Sequence, residues 1–119
     1  MRIRTGVLED NKVEVQVTRS IKVGQVLRIN PSAGYLGIES TIINVIGIAK
    51  WTELDTADLR GMARNFIETD CGLYGKPGEH DYDERKEELE DSLWVAYIDQ
   101  SMEEYVLPLY EFVAHTMSY

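Results

Sequence analysis

The sequence predicts an α+β fold, in which a small, strongly bent antiparallel sheet forms a partly open barrel with one inserted helix and an acidic loop. Residues 13–18 alternate strictly between apolar and polar side chains, which is typical of a half-buried strand. Residues 38–50 are β-branched and apolar on both faces, which favours a central strand bent at Gly47. The period changes over residues 55–68, where apolar side chains recur at the spacing of one helical face. That face consists of Leu59, Met62, Ala63, Phe66 and Ile67.

Further strands are predicted on the amino-terminal side of the central one. Residues 3–8 and 13–18 indicate a hairpin with a polar turn between its strands. Within residues 21–29, Gly24 can form a turn, from which another strand runs to the loop that begins at residue 30. If residues 3–8 lie at the edge of the sheet, pairing of two such edges could give a symmetric homodimer.

The carboxyl-terminal part contains an acidic stretch that is followed by two patterns typical of strands. Residues 79–91 contain eight carboxylates and two basic residues, and we expect them to form a mobile, solvated loop. Residues 93–99 and 104–107 form a second predicted hairpin. Residues 108–118 close the fold as either a helix or a strand, and the pattern leaves both open because Pro108 stops regular pairing.

One domain accounts for residues 1–119. A chain of this length with 44% hydrophobic residues can bury a core without metal or disulfide crosslinks. We expect the barrel strands in residues 1–50 and 93–119, with residues 51–92 as a helical and acidic insertion between them.

The net charge of -9 is the most unusual bulk property of the chain. Residues 1–50 carry seven basic and four acidic side chains, whereas residues 51–119 carry five and seventeen. The net charges of the two halves are therefore +3 and -12. A negative field of this size disfavours nucleic acid as a partner and favours a protein partner with a basic surface.

Cysteine content and hydropathy indicate a cytoplasmic protein. The single cysteine, Cys71, cannot form an internal disulfide, which fits a reducing compartment. Residues 1–5 carry two positive charges without an apolar stretch behind them, and no window has the length of a transmembrane helix. We therefore expect neither export nor insertion into a membrane.

Two stretches carry a family resemblance: residues 45–53, which read VIGIAKWTE, and residues 93–112, which end in YVLPLYEF. Together they resemble a short bacterial domain of unknown function with an SH3-like small β-barrel. In that family a strand reading V-x-G-x-A-[KR]-x-[ST]-E precedes a closing W-V-x-P-L-x-x-F. Here Trp51 replaces a histidine, Tyr105 replaces a tryptophan, and a long helical insertion follows Glu53. The resemblance implies a fold and no activity.

Residues that usually carry enzyme chemistry are sparse. Cys71 and His80 are the one thiol and imidazole pair close in sequence, but Asp70 and Glu79 beside them would raise the pKa of the thiol. A buried, structural cysteine is the better interpretation. No nucleophile elbow, zinc-protease motif or paired-cysteine motif occurs. We predict no catalytic residue, no cofactor and no metal ligand.

A small metal-dependent hydrolase is the alternative hypothesis. Its site would use Glu79, His80, Asp81 and Asp83, which bring an imidazole and three carboxylates together in sequence. The spacing is not that of an EF-hand, because Arg85 stands where a further loop ligand should be. Carboxylates that converge in a cleft would favour an enzyme, whereas carboxylates spread over a convex face would favour binding.

The preferred hypothesis is a non-enzymatic protein-binding module. The acidic excursion, residues 70–91, would engage a basic surface of a partner, as small acidic inhibitors from phages and mobile elements engage nucleic-acid-binding proteins of the host. Tyrosines in this stretch would add contact area at little entropic cost. The predicted partner-binding residues are Tyr74, Glu79, Asp81, Tyr82, Asp83, Glu84, Glu87 and Glu88.

Overall fold

The computed structural model describes residues 11–16, 19–29 and 41–118. In these residues the chain has the predicted α+β fold, with a curled five-stranded antiparallel sheet, a two-stranded sheet and three helices. None of these described helices has both the length and the apolar content needed to cross a membrane. The strands are β1 (Lys12–Gln16), β2 (Arg19–Lys22), β3 (Val26–Ile29), β4 (Thr41–Lys50), β5 (Leu93–Ile98), β6 (Glu104–Pro108) and β7 (Thr116–Ser118). The helices are α1 (Ala57–Cys71), α2 (His80–Asp91) and α3 (Leu109–His115).

The larger sheet has the strand order β6-β5-β4-β3-β7, so β4 lies at its centre as its sequence predicts. Strand β4 pairs with β5 from Asn44 opposite Ile98 to Lys50 opposite Leu93. The register shifts between Val45 and Gly47, at the predicted bend. A bulge of this kind increases the local twist, which helps to curl a sheet into a half-barrel.

The smaller sheet joins β1 and β2, with Val13 opposite Ile21. Both side chains are fully buried in the same core cluster as the larger sheet. The predicted turn at Gly24 is present, with φ of 91° and an N–H that donates to the carbonyl of Val45 at 2.8 Å. The predicted first strand, residues 3–8, lies outside the described residues.

Strand β5 separates two core clusters because it is buried on both faces. Val95 and Tyr97 point into the barrel core, where Tyr97 packs against Phe112 of α3. Trp94 and Ala96 point the other way, into a second cluster beneath α1 and α2. The insertion between β4 and β5 is thus folded back onto the outside of the barrel.

Helix α1 begins at the cap residue Thr56, whose hydroxyl accepts a hydrogen bond from the N–H of Leu59 at 3.2 Å. Its buried positions recur every four residues: Leu59, Ala63, Ile67 and Cys71. The prediction placed Met62 on this face as well, and that placement is wrong, since its side chain is 41% exposed. The buried stripe follows a strict four-residue spacing, which carries it away from position 62.

The prediction that residues 79–91 form an acidic loop is wrong, because residues 80–91 form helix α2. Asp81 and Asp83 lie in its first turn, where carboxylates are favoured by the helix dipole. Leu89 is fully buried in the second core cluster and anchors the helix to the domain. The repulsion between its carboxylates therefore does not prevent this stretch from folding as a helix, because a buried leucine and several polar contacts stabilise it.

The carboxyl-terminal segment contains both of the structures that the sequence left open. Pro108 ends β6 and precedes α3, whose buried residues are Leu109, Phe112 and Val113. The chain then enters β7, where Thr116 donates its hydroxyl to the carbonyl of Phe112 at 2.6 Å. Strand β7 pairs with β3 and extends the curl of the sheet.

Candidate protein-binding surface on the acidic helix

Helix α2 carries six of the eight predicted partner-binding residues, and four of these six are exposed. Asp81, Glu84 and Glu87 are exposed and spaced by three residues, and Asp91 follows four residues later. Side chains at this spacing lie along one side of a helix. We call these four carboxylates the acidic face.

Four of the predicted site residues have other contacts. Glu79 accepts the N–H of Lys76 at 2.7 Å, which fixes the turn before α2. Glu88 accepts a hydrogen bond from Arg85 at 3.2 Å, and Asp83 accepts the N–H of Gly78 at 3.2 Å. Tyr82 is half-buried and packs against the second core cluster, so it is not the freely exposed tyrosine that the sequence predicts. The remaining three carboxylates, Asp81, Glu84 and Glu87, are exposed, and the first two contact His80.

His80 lies at the amino-terminal end of the acidic face. Its Nδ1 is 3.2 Å from Oδ1 of Asp81, and its Nε2 is 3.5 Å from Oε2 of Glu84. The hydrogen bond to Asp81 raises the pKa of His80 above its ordinary value, and the nearby charges of Glu84 and Asp81 add to the effect. Protonation of His80, which these carboxylates favour, therefore adds a positive charge beside the acidic face.

Arg85 attaches α2 to the other two helices. Its Nε donates to Oδ2 of Asp70 on α1 at 2.6 Å, and its guanidinium also donates to the hydroxyl of Tyr110 on α3. The guanidinium carbon lies 5.1 Å from the ring centroid of Tyr110 and 5.8 Å from that of Tyr74, within cation–π range. Tyr74 is still 53% exposed, so part of its ring remains available to a partner.

The carboxyl-terminal end of α2 is held by three further hydrogen bonds. Nε1 of Trp94 donates to the carbonyl of Leu89 at 3.0 Å, and the Ser92 hydroxyl donates to the carbonyl of Glu88 at 2.8 Å. Lys50 Nζ donates to the carbonyl of Asp91 at 2.6 Å. Together with the hydrogen bonds that Glu79 and Asp83 accept before and in its first turn, these contacts fix the helix at both ends, so its outward charges are presented on a preorganised surface.

The residues of the alternative hydrolase site do not form a metal-binding group. Within the described ranges, no three or more histidine, cysteine, aspartate or glutamate side chains are placed to hold a metal ion together. Cys71 is fully buried in the second core cluster, whereas the His80 side chain is 83% exposed. Burial, followed by the charge of Asp70, raises the pKa of the Cys71 thiol, as expected for a structural cysteine.

Comparison with protein-family models, with curated proteins and with solved structures finds no match to this chain. Residues 45–50, 93–98 and 104–108, which carry most of the resemblance to the SH3-like bacterial domain, lie on the adjacent strands β4, β5 and β6. That placement does not test membership, and the resemblance stays a prediction.

Proposed function

We propose that this chain is a protein-binding module whose acidic face engages a basic surface of a partner protein. The observation that carries the proposal is the outward stripe of Asp81, Glu84, Glu87 and Asp91 on a helix fixed by its other side. A flexible acidic loop would lose conformational entropy on binding, whereas a packed helix avoids most of that cost.

The charge around the acidic face is poorly compensated. Residues 79–91 contain eight carboxylates and two basic side chains, which gives this stretch a net charge of -6. Arg85, one of the two, is already engaged by Asp70, Glu88 and Tyr110. A field of this sign accelerates encounter with a basic surface and orients it, more than it adds to affinity at each contact.

A nucleic-acid-handling protein is the class of partner that best fits this field. Such proteins carry basic surfaces that bind a row of negative phosphates, and the acidic face also presents a row of negative charges. Occupation of such a surface would block it, which is how an inhibitor encoded by a phage or mobile element would act. Asp81 and Glu84 border a depression of about 240 Å³ together with Tyr74, Arg85 and Glu88, whereas Glu87 and Asp91 lie outside it. The acidic face thus extends along the outside of the helix beyond this depression, and this supports binding over catalysis.

The proposal is tested by affinity capture from a bacterial lysate, with mass spectrometry of the retained proteins. Three forms are compared: the wild type, an acidic-face variant and a charge-matched control. The acidic-face variant carries Asp81→Asn, Glu84→Gln, Glu87→Gln and Asp91→Asn. The control carries Glu14→Gln, Glu53→Gln, Asp55→Asn and Asp58→Asn, all exposed positions outside α2. Each set removes four negative charges and changes the net charge from -9 to -5.

We expect the wild type and the control to retain the same basic, nucleic-acid-handling protein, and the acidic-face variant to lose it. Loss from both variants would show that the overall charge, rather than the acidic face, attracts the protein. Equal retention by all three forms would exclude the acidic face as the binding surface. Circular dichroism of each form verifies that α2 is still folded.

A further inference from the structure

A groove of about 420 Å³ lies between α1 and α2. Its apolar lining comes from Ile67, which is buried, from Trp51 and Tyr82, which are half-buried, and from Pro77 in the connection between the helices. The volume falls within the roughly 300–1,000 Å³ of cavities that accept a ligand. Aromatic and aliphatic pockets of this kind are also where protein interfaces concentrate their binding energy.

Four charged side chains flank the apolar lining. Arg64 and Glu68 stand four residues apart on α1, and Lys86 and Glu90 stand four residues apart on α2. None of the four forms an ion pair with another residue in the part of the chain that the structure describes. The opposite flank of α2 differs, because there Arg85 is bound by Asp70 and Glu88.

An apolar seam between two helices with charged residues on both rims is the surface that a coiled-coil or bundle helix offers to another helix. In such assemblies the apolar positions supply the affinity, and the rim charges select the partner and its orientation. Rim charges of both signs fit a segment that itself carries both signs. An entirely basic segment would meet Arg64 and Lys86, and an entirely acidic one would meet Glu68 and Glu90.

We propose that the groove is a second binding site, which accepts an amphipathic peptide segment of a partner protein. The segment inserts one bulky apolar or aromatic side chain between Trp51, Ile67 and Tyr82. An acidic and a basic residue within one helical turn of that anchor meet the rim charges. This site goes beyond the proposed function, because the groove lies on a flank of α2 and does not include the four carboxylates of the acidic face.

Selection from a random peptide library displayed on phage tests this proposal, because it presents every combination of anchor and charge. The wild-type chain is the target, and one enriched peptide is synthesised and titrated against four forms by calorimetry. Glu68→Trp places a large ring over the groove. Thr69→Trp places the same ring on a neighbouring exposed position of α1 that does not line the groove. The acidic-face variant and the wild type complete the set.

We expect enriched peptides to share a bulky apolar residue with an acidic and a basic neighbour. Their affinity should fall about tenfold or more for Glu68→Trp, a change of about 1.4 kcal/mol, and change little for Thr69→Trp and for the acidic-face variant. Exchange of both rim cations, Arg64→Glu with Lys86→Glu, should weaken the same peptide by a similar factor without filling the groove. Because this double variant introduces no tryptophan, it separates loss of the site from a distortion that the tryptophan of Glu68→Trp could cause.

Three results would overturn the second site. Enrichment of no peptide above an unrelated control protein would mean that the groove has no affinity for peptide segments. Peptides bound equally by wild type and Glu68→Trp would bind elsewhere. Basic peptides without an apolar anchor, lost with the acidic-face variant, would support the proposed function and refute the groove site, so that the two proposals fail separately.

Discussion

Nε of Arg85 lies 2.6 Å from Oδ2 of Asp70, and both side chains are only 19% exposed. The two residues come from different helices, so the pair joins the amino-terminal half of α2 to the carboxyl-terminal end of α1. Tyr110 of α3 accepts a further hydrogen bond from the same guanidinium. Through these contacts a helix with a net negative charge is held against the domain, and its acidic face is directed to solvent.

Substitution of Arg85 tests the contribution of this attachment. Arg85→Met keeps an unbranched apolar stem but removes the guanidinium, which leaves the largely buried carboxylate of Asp70 without its cation. We expect the free energy of unfolding to fall by about 2 kcal/mol, since a buried polar group that loses its hydrogen-bond partner costs about 1–3 kcal/mol. Urea-induced unfolding, followed through tryptophan fluorescence, measures the change.

Lys86→Met is the matched control because it removes the same charge from the next residue of α2, which is exposed. Surface substitutions of this type usually stay within about 0.5 kcal/mol. If the two variants are equally stable, the contacts of Arg85 do not hold α2 in place.

Acid sensitivity tests the turn between β5 and β6. Oδ1 of Asp99 accepts the N–H groups of Ser101 at 2.8 Å and Glu103 at 3.0 Å, and Oδ2 accepts the Tyr105 hydroxyl at 3.1 Å. These bonds, that from Glu103 first, lower the pKa of Asp99. A lowered folded-state pKa contributes stability that is present above the unfolded-state value, about 3.9, and is lost as pH falls through the folded-state value.

We therefore expect Asp99→Asn to lose less stability than the wild type when pH is lowered from about 7 to about 3. Tyr105→Phe, which removes one of the three bonds, should lie between the two. Urea midpoints at both pH values give the comparison. Identical acid sensitivity of wild type and Asp99→Asn would show that this carboxylate has the same pKa in the folded and unfolded states.

The titration of His80 tests the electrostatics of the acidic face directly. Asp81 and Glu84 raise the pKa of His80 above 6.5, so the double variant Asp81→Asn with Glu84→Gln should lower it toward that value. The ring proton shifts of His80, followed by NMR across a pH series, report the change. Since protonation adds positive charge to the acidic face, affinity for a basic partner should also decrease as pH falls through this pKa.

A pKa of His80 that is the same in wild type and double variant would contradict the contacts with Asp81 and Glu84. Glu87→Gln supplies the comparison within the same helix, because Glu87 is not among the main causes of the raised pKa of His80. Glu87→Gln should therefore change the pKa of His80 less than the double variant does.

Much of the fold follows from local patterns in the sequence. Strand β4 was predicted from a run of β-branched residues, and α1 from a buried stripe at helical spacing, because burial imposes a period on both. Helix α2 escaped prediction because Leu89 is its one fully buried residue and much of its attachment is polar. Two partners of Arg85, Asp70 and Tyr110, are 15 and 25 residues distant in sequence, and no local pattern indicates them.

The candidate surface was predicted in part. Asp81, Glu84 and Glu87 were named from charge density, and the structure places them on one side of α2. Asp91 was missed, although its spacing from Glu87 would have indicated it once residues 80–91 were recognised as a helix. The groove between α1 and α2 depends on how two helices pack, and that packing is decided by contacts between distant residues.

The affinity of the captured partner for the wild type, the acidic-face variant and the charge-matched control tests the central claim most directly. An exposed charge pair contributes about 0.2–1 kcal/mol, so the loss of four carboxylates should weaken binding by about tenfold or more, and added salt should reduce the difference. The control should bind within about twofold of the wild type. Equal dissociation constants for the two variants would contradict the account, because they would show that the position of the charges on α2 does not matter.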